Sequence, residues 1–148
     1  MFHALHAADI VKVNEEELET LFAWYCSIDP DGPPLSSDDV RAACMALVQS
    51  FELQALILTL GHRGSAYFAA DGEIVINRDN PQPPFVIDTA GAGDAFSAIF
   101  LLGRARGWPL DVTLARANEF AGAVCAVPGA IPQDLGLYDR WVGRWRGA

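Results

Sequence analysis

The most informative stretch of this sequence reads DTAGAGDAF and covers residues 88–96. Three small residues, at 91–93, lie between a strand predicted at 85–87 and a helix predicted from about 94 to 106. Small residues leave backbone N–H groups open to a ligand, and a helix N-terminus carries partial positive charge. The junction therefore predicts an anion site built from backbone groups.

Two other phosphate-binding patterns do not fit this stretch. The Walker A pattern needs a lysine followed by serine or threonine, whereas here Asp94 follows Gly93. The dinucleotide pattern GxGxxG needs a glycine at the position of Phe96. The predicted site would bind phosphate through backbone groups alone.

Asp94 has two interpretations at this point. Aspartate is a favoured helix N-cap, which stabilises a helix by about 1 kcal/mol. Alternatively, its carboxylate orients and deprotonates a hydroxyl that attacks a bound phosphoryl group, since a carboxylate without such a role would repel the anion beside it. The residues alone leave both open.

Strand and helix patterns alternate along the rest of the chain. Strands are predicted at residues 10–13, 55–60, 65–70, 73–77 and 85–87, and helices at 14–25, 37–50, 94–106, 109–127 and 137–145. Asp71-Gly72 joins the third and fourth strands as a hairpin. The alternation predicts a single α/β unit without repeats or linkers.

Composition excludes several classes of function. The 148 residues are 51% hydrophobic and 20% charged, which excludes disorder, and the net charge of −9 with Lys12 as the only lysine argues against binding nucleic acid or anionic membranes. No apolar run is long enough to span a bilayer. Cys26, Cys44 and Cys125 form no pair or metal cluster, so reduced, mostly buried thiols in a cytoplasmic protein are expected.

Residues 88–96 closely resemble the C-terminal signature of the ribokinase-like (PfkB) carbohydrate kinases, D-T-x-G-A-G-D-x-F. The resemblance implies a three-layer α/β/α ribokinase-like (Rossmann-like) fold and transfer of a phosphoryl group from ATP to a sugar hydroxyl. Gly91, Ala92 and Gly93 would form the anion hole for the transferred phosphate. Asp94 would be the catalytic base.

Two further motifs follow the family's order. Asn14 and Glu17 resemble its N-x-x-E motif, which implies a position near Mg²⁺ and the phosphates, with Glu17 acting through water; a capping box would give the same spacing. Thr59, Gly61 and Gly64 resemble its T-x-G-x-x-G turn beside the nucleotide. A tight turn that needs glycine for positive φ would look the same.

The last motifs concern adenine and a monovalent cation. Residues 117–123 and 129–132 resemble the family's last nucleotide-facing helix and its loop, which implies that Asn118 lies near adenine; close helix packing is the alternative. Asp88 and the Ala90 carbonyl would help to hold a monovalent cation such as K⁺. Details of the run 117–134 resemble fructokinase-like members.

The resemblance covers the chain from about Ala8 onward, but only the C-terminal half of the family's domain. The sugar-binding residues of the other half have no counterpart, so ATP or ADP is expected as a ligand here and the sugar in a full-length form. Two alternatives stay open: a truncated, non-catalytic nucleotide-binding fragment, and an acceptor that is a nucleoside or another alcohol. A sheet cut midway predicts self-association or a homo-oligomer through its exposed edge.

Overall fold

A computed structural model describes residues 2–29, 32, 34–78, 81, 83–129 and 135–146. The sequence predicts one folding unit, whereas the contacts divide the chain into two compact units, Met1–Arg78 and Asp79–Ala148. No helix among the described residues is both long and apolar enough to cross a bilayer.

The first unit contains a four-stranded mixed sheet in the order β1-β2-β3-β4. Strands β1 and β2 are parallel, and β3 is antiparallel to both β2 and β4. The elements are α1 (Phe2–Ala7), β1 (Ile10–Asn14), α2 (Glu15–Tyr25), α3 (Ser37–Ser50), β2 (Ala55–Thr59), a 3₁₀ turn (Gly61–Arg63), β3 (Ser65–Ala69) and β4 (Ile74–Asn77). The predicted β3–β4 hairpin is confirmed.

Helices α2 and α3 pack on one face of this sheet. Side chains at alternate strand positions, such as Val13, Leu58 and Phe68, join a core with residues of both helices. Ile57, on the other face, is buried as well, as the continuous apolar run of β2 predicts. Each helix starts at a capping box, with Asn14 as the N-cap of α2 and Ser36 as that of α3.

Cys44 of α3 is fully buried in this core. Burial and, to a smaller extent, the neighbouring Cys26 raise the pKa of its thiol from the ordinary value of 9.0 to about 12. Because the unfolded thiol ionises first, the stability that this shift contributes is complete below about pH 9 and is lost as the pH rises toward 12.

We expect the free energy of unfolding to fall more steeply with pH in the wild type than in Cys44→Ala. Urea titrations of both proteins at pH 7.5 and pH 10.5 measure this difference. An equal fall in the two proteins would show that Cys44 does not ionise on unfolding in this range.

The second unit is helical where it is described. It contains α4 (Ala92–Arg106), α5 (Leu110–Val124) and α6 (Gly136–Arg146). Helices α4 and α5 approach closely at Gly103, where an added Cβ would lie 2.6 Å from the Thr113 side chain. Helix α6 packs through an aromatic cluster in which Trp145 contacts Trp108 and Phe120.

Three elements differ from the sequence-based expectation. Residues 85–87 form no strand, and the Phe85 side chain is 76% exposed. Helix α1 has no counterpart among the predicted elements; it buries Leu5, and His6 makes an edge-on ring contact with Phe51. Helix α4 begins at Ala92, two residues earlier than predicted, which changes the position of Asp94.

Candidate active site

The start of α4 leaves backbone N–H groups open to a ligand. Gly91 is its N-cap and adopts the left-handed conformation (φ 80°), which favours glycine, and no side chain of the described residues caps this end. Ala92 donates its N–H to the Thr89 carbonyl at 3.3 Å, whereas the N–H groups of Gly93 and Asp94 have no acceptor among the described residues. Two amides and the helix dipole are thus available to an anion.

Asp94 is the third residue of α4 and not its N-cap, so the capping interpretation is wrong. Its side chain is exposed, and no described residue donates a hydrogen bond to it. The carboxylate therefore has no structural partner in the part of the chain that the structure describes. It lies in the same helical turn as the two available amides.

Asp88 ties the segment before α4 to the end of α5. Its Oδ1 accepts the Ala90 N–H at 2.9 Å, and its Oδ2 accepts the Gly129 N–H at 3.2 Å. The Cys125 carbonyl accepts the N–H groups of Ile87 and Asp88, at 2.8 and 3.3 Å. Burial, and then the charge of Asp88, raises the pKa of the Cys125 thiol. These contacts fix the chain segment that leads into α4.

In the first unit, Asn14 and Glu17 form the capping box that the sequence offered as an alternative. The Glu17 N–H donates to Asn14 Oδ1, and the Asn14 N–H donates to Glu17 Oε2, both at 2.8 Å. Glu17 can still accept a further hydrogen bond or bind a cation, since its Oε1 accepts no hydrogen bond within the box. Capping is confirmed, and the role near Mg²⁺ stays a prediction.

Thr59 lies beside Asn14 at the carboxyl ends of two parallel strands, because the two residues are register partners. The Thr59 hydroxyl donates to the Val13 carbonyl at 3.3 Å. The turn that follows uses positive φ at both predicted glycines, 57° at Gly61 and 99° at Gly64. The predicted tight turn is confirmed, and its role beside a nucleotide stays a prediction.

An ion pair that the sequence analysis missed joins these two motifs. The Arg63 guanidinium, in the 3₁₀ turn, donates to Glu15 Oε2 at the start of α2. This hydrogen bond and the charge of Glu15 raise the pKa of Arg63. Both residues occupy variable positions of their motifs, and only the β1–β2 register brings them together.

Asn118 lies in the middle of α5 with a side chain that is 4% exposed, next to the fully buried Ala117. Its predicted place near adenine stays a prediction, as does close helix packing. Residues 130–132 of the predicted adenine loop lie outside the described residues. Among the described residues, no three His, Cys, Asp or Glu side chains converge as metal ligands.

The predicted site residues thus fall into two groups, one in each unit: Asn14, Glu17, Thr59, Gly61 and Gly64 in the first, and Asp88, Ala90, Gly91, Ala92, Gly93, Asp94 and Asn118 in the second. The mixed sheet and its packed helices define an α/β protein. Its helix α4 starts at a glycine, and its first amides, which have no acceptor among the described residues, are groups of the kind that bind phosphate.

Comparison with known proteins specifies the family. The pfkB family of carbohydrate kinases matches residues 2–135, and the chain belongs to this family. It is 30% identical over 128 residues to ribokinase from Arabidopsis thaliana and 32% identical over 111 residues to fructokinase from Salmonella thompson. These alignments cover 86% and 74% of this chain, but only 31% and 43% of those proteins.

Solved structures confirm the ribokinase-like α/β fold. The structure of ribokinase from Arabidopsis thaliana in complex with ribose and ATP superposes with a TM-score of 0.73 at 24% identity. The superposition covers 93% of this chain and 42% of that one. The chain therefore spans less than half the length of the relatives that it matches.

Proposed function

We propose that this protein binds ATP and transfers its γ-phosphoryl group to a sugar hydroxyl. The observation that carries the proposal is the first turn of α4, where two amides without an acceptor lie beside a carboxylate without a donor among the described residues. Family membership and relatives that are ribokinase and fructokinase support the same reaction.

In the proposed reaction, Asp94 accepts the proton of the acceptor hydroxyl. The hydroxyl oxygen forms a bond to the γ-phosphorus, and the bond from that phosphorus to the bridging oxygen of ADP breaks. Negative charge on the phosphoryl oxygens is stabilised by the N–H groups of Gly93 and Asp94 and by the helix dipole. A carboxylate is suited to this role because it can orient the acceptor hydroxyl beside the phosphate and accept the proton of that hydroxyl.

The cations expected from the family fit the oxygen donors available. Glu17 would hold Mg²⁺ through water, with Asn14 beside it, because one oxygen of this exposed carboxylate is not used in the capping box. Asp88 and the Ala90 carbonyl would hold a monovalent cation such as K⁺. Each of the two Asp88 carboxylate oxygens accepts one backbone hydrogen bond and retains a lone pair for a cation. The bound cations would neutralise phosphate charge.

An acceptor panel tests the proposed reaction. ATP-dependent ADP release should appear with fructose or ribose and stay at background with glycerol or with no acceptor. Release with inosine but neither sugar would assign a nucleoside as acceptor. Release that is independent of every acceptor would contradict phosphoryl transfer to an alcohol.

The short coverage favours a second candidate, a nucleotide-binding chain that does not turn over sugar by itself. The chain spans 31% of the ribokinase and 43% of the fructokinase that it matches. Strand β1 is at the edge of the described sheet, and we propose self-association through this edge. Light scattering after size exclusion distinguishes a dimer from a monomer, and mixing with the separately expressed remainder of a relative tests for complementation.

A further inference from the structure

The Arg63–Glu15 ion pair connects two segments that are 48 residues apart in sequence. Arg63 ends the 3₁₀ turn Gly61–Arg63, and Glu15 is the first residue of α2. Their side chains are 55% and 50% exposed, so the pair lies at the surface, where an ion pair contributes little to global stability. We therefore expect the pair to affect the position of the turn more than the free energy of unfolding.

The two glycines of the turn differ in the space around them. At Gly64, an added Cβ would lie 2.0 Å from the Asn77 carbonyl oxygen, so this end packs tightly on the end of β4. At Gly61, an added Cβ would meet no atom within 4 Å. Within the turn, the Leu60 N–H donates to the Gly64 carbonyl at 2.9 Å, and the ion pair adds a link from the turn to α2.

The other partner of the pair, Glu15, lies at a capped helix start. The capping box of Asn14 and Glu17 fixes the first turn of α2, and therefore the position of Glu15 between them. The register of Asn14 with Thr59 sets both segments at the same level of the sheet. Arg63 thus pairs with the side chain of Glu15, whose backbone position is set by β1 and the helix cap.

We propose that Arg63 and Glu15 are positioning residues that hold the T-x-G-x-x-G turn in the orientation that binds nucleotide. This inference rests on the proposed function, since it concerns the nucleotide side of that reaction. The pair sets the position of the turn against α2 before the ligand arrives, so its loss transfers the cost of that positioning to binding. The rate of phosphoryl transfer from bound nucleotide is unchanged.

Calorimetric titration with Mg·ADP at low salt tests the proposal on the full chain. Arg63→Gln removes the pair and one positive charge, and we expect about two- to five-fold weaker binding, the range of exposed ion pairs. The double variant Glu15→Arg with Arg63→Glu restores the pair with the same net charge. It should bind within about two-fold of the wild type.

Arg41→Gln is the matched control. Arg41 forms a 3.6 Å ion pair with Asp38 within α3, so its replacement removes the same charge and an exposed ion pair that does not involve the turn. It should leave the affinity for Mg·ADP unchanged. In a form that turns over, Arg63→Gln should raise the KM for ATP with kcat unaltered, a split that a general loss of folded protein would not give.

The outcomes separate this inference from the function on which it rests. A wild-type chain that is folded by circular dichroism and binds no Mg·ADP overturns both. Binding by the wild type with unchanged affinity in Arg63→Gln overturns the positioning role alone. Weak binding in both the single and the swapped variants also overturns it, because charge or local shape would then matter and not the pairing.

Discussion

Replacing Asp94 by asparagine is expected to lower sugar-dependent ADP release by about 10²- to 10⁴-fold. The amide keeps the shape of the side chain but cannot accept the proton of the acceptor hydroxyl. Because no described residue hydrogen-bonds to the Asp94 carboxylate, the fold should not change. A coupled assay for ADP measures the effect in any form of the protein that turns over.

Asp111→Asn is the matched control for this prediction. Asp111 is also an exposed aspartate in the first turn of a helix, α5. Its replacement should leave ADP release within about two-fold of the wild type, as expected for a surface substitution. Equal activity in Asp94→Asn and the wild type would exclude Asp94 as the base.

Replacing Gly64 by alanine is expected to destabilise the first unit by about 3–5 kcal/mol, from backbone strain and overpacking together. Gly64 combines φ 99° with ψ −142°, close to a region that only glycine adopts readily. The new Cβ would lie 2.0 Å from the Asn77 carbonyl oxygen, and a backbone atom has little freedom to move away.

Gly61→Ala separates the two causes. Gly61 has φ 57°, in the left-handed region, but its added Cβ would meet nothing within 4 Å. It should lose only about 1–2 kcal/mol. Urea unfolding of both variants measures the difference. Similar losses at the two positions would mean that the contact with β4 is not tight in solution.

Local sequence signals predict most of the fold. The capping residues Asn14 and Ser36 determine where α2 and α3 start, and the apolar run of β2 corresponds to a strand buried on both faces. Asp71-Gly72 marks the β3–β4 hairpin. These features depend on residues a few positions apart, which a sequence displays directly.

The features that the sequence does not predict depend on contacts between distant residues. Residues 85–87 have β-forming side chains, but a strand also needs a neighbour. In the described part of the chain, their only backbone hydrogen bond is that of the Ile87 N–H to the Cys125 carbonyl. The short helix α1 lacks the length to be stable by itself and relies on buried Leu5. The Arg63–Glu15 pair likewise depends on a contact between distant residues, since the register of β1 and β2 brings the two segments together.

The candidate site is predicted more from its resemblance to a family motif than from the chemistry of its residues. The small residues at 91–93 are enough to indicate an anion site, but the same residues leave Asp94 open as a possible N-cap. Gly91 takes that position because only the left-handed backbone turns the chain into α4 there. This backbone geometry leaves the Asp94 carboxylate available.

Calorimetric titration of the purified chain with Mg·ADP is the most direct test of the central claim, that the start of α4 binds nucleotide phosphate. Gly91→Ala and Gly107→Ala provide a matched pair, because the two glycines flank α4 with φ 80° and 68°. We predict that the wild type and Gly107→Ala bind alike, and that Gly91→Ala binds about five- to thirty-fold more weakly, since strain of about 1–2 kcal/mol now opposes the binding geometry. Equal binding by all three proteins, or no binding by a folded wild type, would contradict the account.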